Sequence, residues 1–142
     1  MMLKDYSELV YLANLQDPYT GEYLYLLDIL HAFKKWSSQG LEIPRYLNPL
    51  GVRQVNDEPK RFELEISDQI GGLIDACITI GRFKCPIGYA IFRAVIFEGY
   101  HLYELATHRH VRRAFKKHGK KYNQKAVKCM FNDFLKVVRT SL

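Results

Sequence analysis

The sequence predicts an all-α fold: a helical domain with a helix-turn-helix core, preceded by an N-terminal helical arm. Apolar residues recur at three- and four-residue spacing around 6–15, 21–38, 67–81, 86–98 and 123–139, as helices with a buried face require. Glycine and proline punctuate the chain between these segments. The alternation expected of a strand occurs at 62–66, where a lone strand has little to pair with.

Residues 6–15 read as a short helix, and Asp17, Pro18 and Gly21 mark a turn after it. Thr20 is placed to cap a helix over 21–38, which Gly40 ends. Tyr23, Leu26, Leu27, Leu30 and Phe33 make one apolar stripe of that helix; Tyr25, Ile29, Ala32 and Trp36 make a second. Such a helix is buried on two sides, or buries one against a partner. Between 39 and 61, Gly40, Pro44, Pro49, Gly51 and Pro59 interrupt any period, and a connection this long is a linker or functional. It divides the chain into an arm with linker, residues 1–61, and a domain of helix-turn-helix type, residues 62–142.

Ser67 is an N-cap for the next helix, whose inner face holds Ile70, Leu73, Ile74, Cys77 and Ile78; Gly81 is placed to end it. Pro86 opens the following helix, with Ile87, Ala90, Ile91, Ala94 and Val95 inward, until Gly99 breaks it. A short helix at 101–106 leads to a basic helix, which breaks at Gly119. Asn123 caps a final helix to about residue 139. There Val127, Met130, Phe131, Phe134, Val137 and Val138 face inward, and Lys125, Lys128, Asn132, Lys136 and Arg139 form the opposite ridge.

At 142 residues, 48% apolar and 25% charged, the chain is long enough to bury a core without staples. Cys77, Cys85 and Cys129 are odd in number and form no CxxC, against both a disulfide framework and a four-ligand zinc site. No signal-peptide layout opens the sequence, and no run reaches the roughly 18 apolar residues of a membrane span. A reducing cytoplasm, away from membranes, is the expected location.

Charge is uneven. Residues 1–81 hold 7 Lys/Arg against 12 Asp/Glu, a net of −5; residues 82–142 hold 14 against 3, a net of +11. The basic excess concentrates in Arg109, Arg112, Arg113, Lys116, Lys117, Lys120 and Lys121, whose offsets of 0, 3, 4, 7, 8, 11 and 12 share one helical face. Val111, Ala114, Phe115, His118 and Tyr122 occupy the other face. No Asp or Glu lies between Glu104 and Asp133, so internal salt bridges do not account for the stripe. Its chemistry suits phosphate contact. The helix at 111–118, the Gly119 turn and the helix from Asn123 make a candidate helix-turn-helix. Asn123, Gln124, Lys125 and Lys128 are then placed for base readout, Asn and Gln reading adenine and Lys reading guanine or phosphate.

Enzyme chemistry finds little support. Asp75, Glu98 and Glu104 sit on or beside apolar helices as polar-face residues, and no phosphate-binding glycine loop, HExxH or nucleophile elbow occurs. His108 and His110 would not share a helical face, and their basic surroundings repel cations. The expectation is a non-enzymatic protein without metal or cofactor.

Four stretches carry a family resemblance. Residues 32–40, with Trp36 and Gly40, are followed by Tyr46-Leu-Asn-Pro-Leu-Gly51. Residues 67–78 form an acidic helix ending in Ile74-Asp75 and a small residue. Residues 89–106 pass through Gly99 to Ala106, and residues 122–131 begin the last helix. Together they resemble the late-gene antitermination Q proteins of lambdoid phages, in the short branch whose core is a sigma-region-4-like helical domain. The likeness covers residues 32–139; the zinc-carrying branch is not matched, because its cysteine cluster is missing. The family places its counterpart of Ala106 a handful of residues before the recognition helix, whereas here Ala106 precedes Asn123 by 17 residues. Either 109–121 is an insertion, or the helix at 111–118 has become the first helix of the motif.

The resemblance implies a transcription antiterminator in the bacterial host cytoplasm. Such a protein binds a DNA element overlapping a late promoter. It engages paused RNA polymerase through the sigma factor and flap, then carries the enzyme through terminators, partly by altering the RNA exit channel. DNA, RNA polymerase with its sigma factor, and RNA at that channel are the implied partners. Without polymerase contact, the same residues suit a sequence-specific DNA-binding repressor or activator. A small basic protein-binding inhibitor, docking on an acidic partner, is the reading from another class.

Overall fold

The computed structural model describes residues 2–38 and 64–142. Most of these residues are helical. Strand β1 (Met2–Leu3) pairs in parallel with β2 (Glu65–Ile66), Met2 opposite Glu65 and Leu3 opposite Ile66. The strand expected at 62–66 thus has a partner: the first residues of the chain. The 39–61 connection, the Gly40 stop, the start of that strand and the boundary at 61/62 lie outside the described residues.

Helix α1 (Tyr6–Asn14) starts at Asp5, whose carboxylate accepts the Ser7 amide at 2.9 Å. Helix α2 (Leu26–Ser37) begins five residues later than the sequence expectation. Gly21 lies at φ +74, and the Asp17 carboxylate accepts the amides of Tyr19 and Thr20. Backbone bonds from Asp17 to Glu22 and from Leu24 to Leu15 then close a loop that holds residues 21–25 away from helix. Thr20 Oγ1 accepts the Glu22 amide inside this loop rather than capping a helix.

Ser67 caps α3 (Asp68–Lys84) by accepting the Ile70 amide. Gly81 does not end α3; it sits inside it, where a Cβ would lie 2.6 Å from the Phe134 ring. The glycine serves close packing, not termination. Helix α4 (Pro86–Phe92), with proline in its first turn, runs into a π-helical segment, Arg93–Phe97. Gly99 at φ +80 turns the chain into a 3₁₀ helix, Leu102–Thr107. Helix α5 (Arg109–Lys117) and the long α6 (Gln124–Ser141) complete the order.

Helix α6 packs along α3 and α4, while α5 packs on α4 and the 3₁₀ helix. One hydrophobic cluster joins Leu3, Leu9, Ala13, Ile29 and Leu30 to Ile70, Ile74, Ile91, Phe92 and Phe134. The Phe92 and Phe134 rings meet at 4.9 Å between centroids. The N-terminal elements therefore share the core of residues 64–142. Trp36 Nε1 donates to Asp68 at 2.9 Å, and its ring lies over Gly71. Arg139, expected on the outer ridge of α6, instead binds the arm: it donates to Asn14 at 3.0 Å and lies 4.1 Å from the Tyr23 ring centroid. No helix of the described residues is long and apolar enough to cross a membrane.

Candidate nucleic-acid interface

Helix α5 owes its position to two side chains buried completely or nearly so, Val111 and Phe115, and to an unusual N-cap. His108, the only buried polar side chain among the described residues, accepts the Val111 amide on Nδ1 at 3.2 Å. Its Nε2 lies 2.9 Å from the Glu98 carboxylate. Because Nδ1 accepts, the ring proton sits on Nε2 and donates to Glu98. Both nitrogens are engaged, so His108 has none to offer a metal. The sequence carries no signal for this cap, since histidine is not among the preferred N-cap residues.

Arg109, Arg112, Arg113, Lys116 and Lys117 are all exposed on the outer side of α5. Lys120 and Lys121 do not continue that stripe. The helix ends at Lys117, Gly119 takes φ +67, and the two lysines stand exposed in the connection 118–123. The positive surface thus bends around a corner instead of following a straight helical line.

Asn123 caps α6 as expected, its Oδ1 accepting the Ala126 amide at 2.7 Å. Gln124, expected at base edges, is exposed and donates from Nε2 to the Leu102 carbonyl at 3.0 Å, tying the start of α6 to the 3₁₀ helix. Lys125 and Lys128 are exposed on the first turns of α6. Among the described residues, none of the nine exposed cations from Arg109 to Lys128 pairs with a carboxylate. At the start of the neighbouring 3₁₀ helix, the rings of its N-cap His101 and of Tyr103 stack at 5.3 Å, with Tyr103 72% exposed. No sequence pattern gives this aromatic pair a role.

The six residues 118–123 between α5 and α6 exceed the 3–4-residue turn usual in a helix-turn-helix. Both helices lean on α4, so α4 and the 3₁₀ helix set their relative placement. Tyr122 closes the corner. Its ring meets Phe115 at 5.2 Å in a T-shaped contact, and the Arg112 guanidinium lies 4.6 Å above it. Burial raises the Tyr122 phenol above its ordinary value, with the Arg112 charge opposing. Compared with known proteins, the chain matches no family model, no curated protein and no solved structure.

Proposed function

We propose that the chain is a nucleic-acid-binding protein whose contact surface is α5, the 118–123 corner and the first turns of α6. One observation carries this: nine exposed Lys and Arg side chains gather there with no acidic partner among the described residues. A solvated helix face ordinarily intersperses both signs of charge, whereas an uncompensated basic patch attracts a polyanion. Arg109, Arg112, Arg113, Lys116, Lys117, Lys120 and Lys121 hold phosphates. Lys125 and Lys128, together with the amide nitrogen of Asn123, are the groups left for base edges, because Gln124 is held by Leu102.

The narrower role we propose is transcription antitermination, with RNA polymerase and its sigma factor as protein partners and RNA at the exit channel as a further contact. Its support is the sequence resemblance to the phage Q proteins, helped by the division between an acidic N-terminal part and a basic C-terminal part. In this reading α6 of a sigma-region-4-like helix-turn-helix enters the major groove, and α5 is its supporting helix.

Two measurements test the proposal. Duplex binding is followed as salt rises, and charge reversal at Arg112, Arg113, Lys116 and Lys117 should weaken it by orders of magnitude. Unchanged binding by that variant overturns the basic-surface reading. Terminator read-through by purified polymerase should increase when the protein is added; DNA binding without added read-through replaces the antiterminator with a repressor or activator.

A further inference from the structure

The corner between α5 and α6 is concave, although a basic surface that only follows a nucleic-acid backbone has no need of concavity. Arg112, Arg113, Phe115, Lys116, Lys120 and Tyr122 line an open cleft of about 500 Å³. That lies within the roughly 300–1,000 Å³ range of small-molecule sites and far exceeds what an inorganic phosphate fills. Four cations border it, and among the described residues none is paired with a carboxylate. The Tyr122 hydroxyl is buried and has no hydrogen-bond partner, the one such side-chain atom among the described residues. Four clustered cations disfavour the empty cleft and an anion relieves them, while the Tyr122 hydroxyl stays unmet for as long as it is covered.

We propose that this cleft binds one nucleotide unit. Arg112, Arg113, Lys116 and Lys120 hold its phosphate ester, and its base lies against the half-buried ring of Tyr122. The Tyr122 hydroxyl becomes a donor to the phosphate once Arg112 leaves the tyrosine ring for the same anion. A base free to enter such a cleft is unstacked, so the occupant is a free nucleotide or a nucleotide of a single strand, not one inside a duplex. This deepens the nucleic-acid reading and rests on it for the choice of a nucleotide over other phosphate esters.

Calorimetric titration of the full chain with AMP, adenosine and inorganic phosphate tests the site. AMP should bind roughly tenfold or more tightly than adenosine or phosphate alone. Tyr122→Phe should weaken AMP by about three- to tenfold while the protein stays folded, because the change removes only an unpartnered hydroxyl. Lys116→Gln with Lys120→Gln, both at exposed positions, should weaken it further, and Lys84→Gln on α3 should leave it unchanged. AMP binding no tighter than phosphate, or equal binding by Tyr122→Phe, overturns the proposal. Competition by short oligothymidylate identifies the source. Displacement of AMP by the oligomer only when it carries a 5′-phosphate supports a strand end, displacement either way an interior nucleotide, and no displacement a free nucleotide. Duplex binding without AMP binding sinks this inference and leaves the broader reading standing; AMP binding without duplex binding does the reverse.

Discussion

The His108 imidazole donates from Nε2 to the Glu98 carboxylate at 2.9 Å while its Nδ1 caps α5. One ring therefore joins the end of the π-helical turn to the start of the basic helix. His108→Ala removes the cap and the donor together. An N-cap contributes about 1 kcal/mol, and the half-exposed Glu98 recovers much of its lost bond from water, so a total loss of about 1–2 kcal/mol is expected. His108→Asn retains a capping acceptor without the reach to Glu98 and should regain about half of that loss. Urea unfolding measures both. Amide exchange at Val111 should quicken in His108→Ala before global unfolding does.

Gly88 of α4 faces α6 at a distance no side chain tolerates. A Cβ there would lie 2.5 Å from the Met130 carbonyl oxygen and 2.7 Å from the Phe134 Cβ. The first of these neighbours is backbone and cannot rotate aside. Gly88→Ala should therefore cost about 2–3 kcal/mol, the upper range for overpacking. At Gly72 in α3 a Cβ would meet nothing within 4 Å, so Gly72→Ala should stabilise by about 0.5–1 kcal/mol. Denaturant midpoints moving in opposite directions are the expected result.

These glycines show where sequence pattern stops being informative. Gly81 follows a clean helical period and reads as a stop, yet it is a packing residue, because only the position of Phe134 decides between the two. Caps made by Asp5, Ser67 and Asn123 depend on neighbours two or three residues away. Ser67 and Asn123 are therefore readable from sequence. The β1–β2 pair joins residues more than sixty positions apart, which no local period encodes. The basic residues are all legible as exposed cations, because charge alone keeps them at the surface. Their bend at Gly119, the cleft at Tyr122 and the tie from Gln124 to Leu102 depend on tertiary placement.

Three acidic protons are held more tightly in the folded chain than ordinary values predict. Burial pushes the Cys77 thiol above 9.0. Cys85 is also raised, first by burial and then by the Asp133 charge, with Lys84 opposing. Tyr122 is raised above 10.0 by burial against the pull of Arg112. The unfolded chain releases these protons at lower pH than the folded chain does. Their contribution is complete below about pH 8 and is lost as pH rises past 9 through the raised folded values. The urea midpoint should fall between pH 9 and 11, and Cys77→Ala with Cys85→Ala should flatten the first part of that fall. Tyr122→Phe should flatten the later part.

The basic surface makes its own quantitative demand. If α5, the corner and the first turns of α6 engage about six phosphates of duplex DNA, log K should fall with log salt at a slope near −5. Arg113→Ala removes an exposed cation with no carboxylate partner among the described residues and should make the slope shallower by about 1, weakening all DNA sequences alike. Gln124→Ala should behave differently. Its amide holds the Leu102 carbonyl, so the change should lower stability by about 0.5–1 kcal/mol and leave both the salt slope and the ranking of DNA sequences intact. Lys128→Ala, at an exposed position on α6, should alter that ranking if α6 lies in the major groove. Filter binding across a salt series, with a small panel of duplexes, separates the three variants. A change of sequence ranking on Gln124→Ala would return that residue to the base-reading set. Equal slopes for Arg113→Ala and the native chain would remove Arg113 from the phosphate contacts.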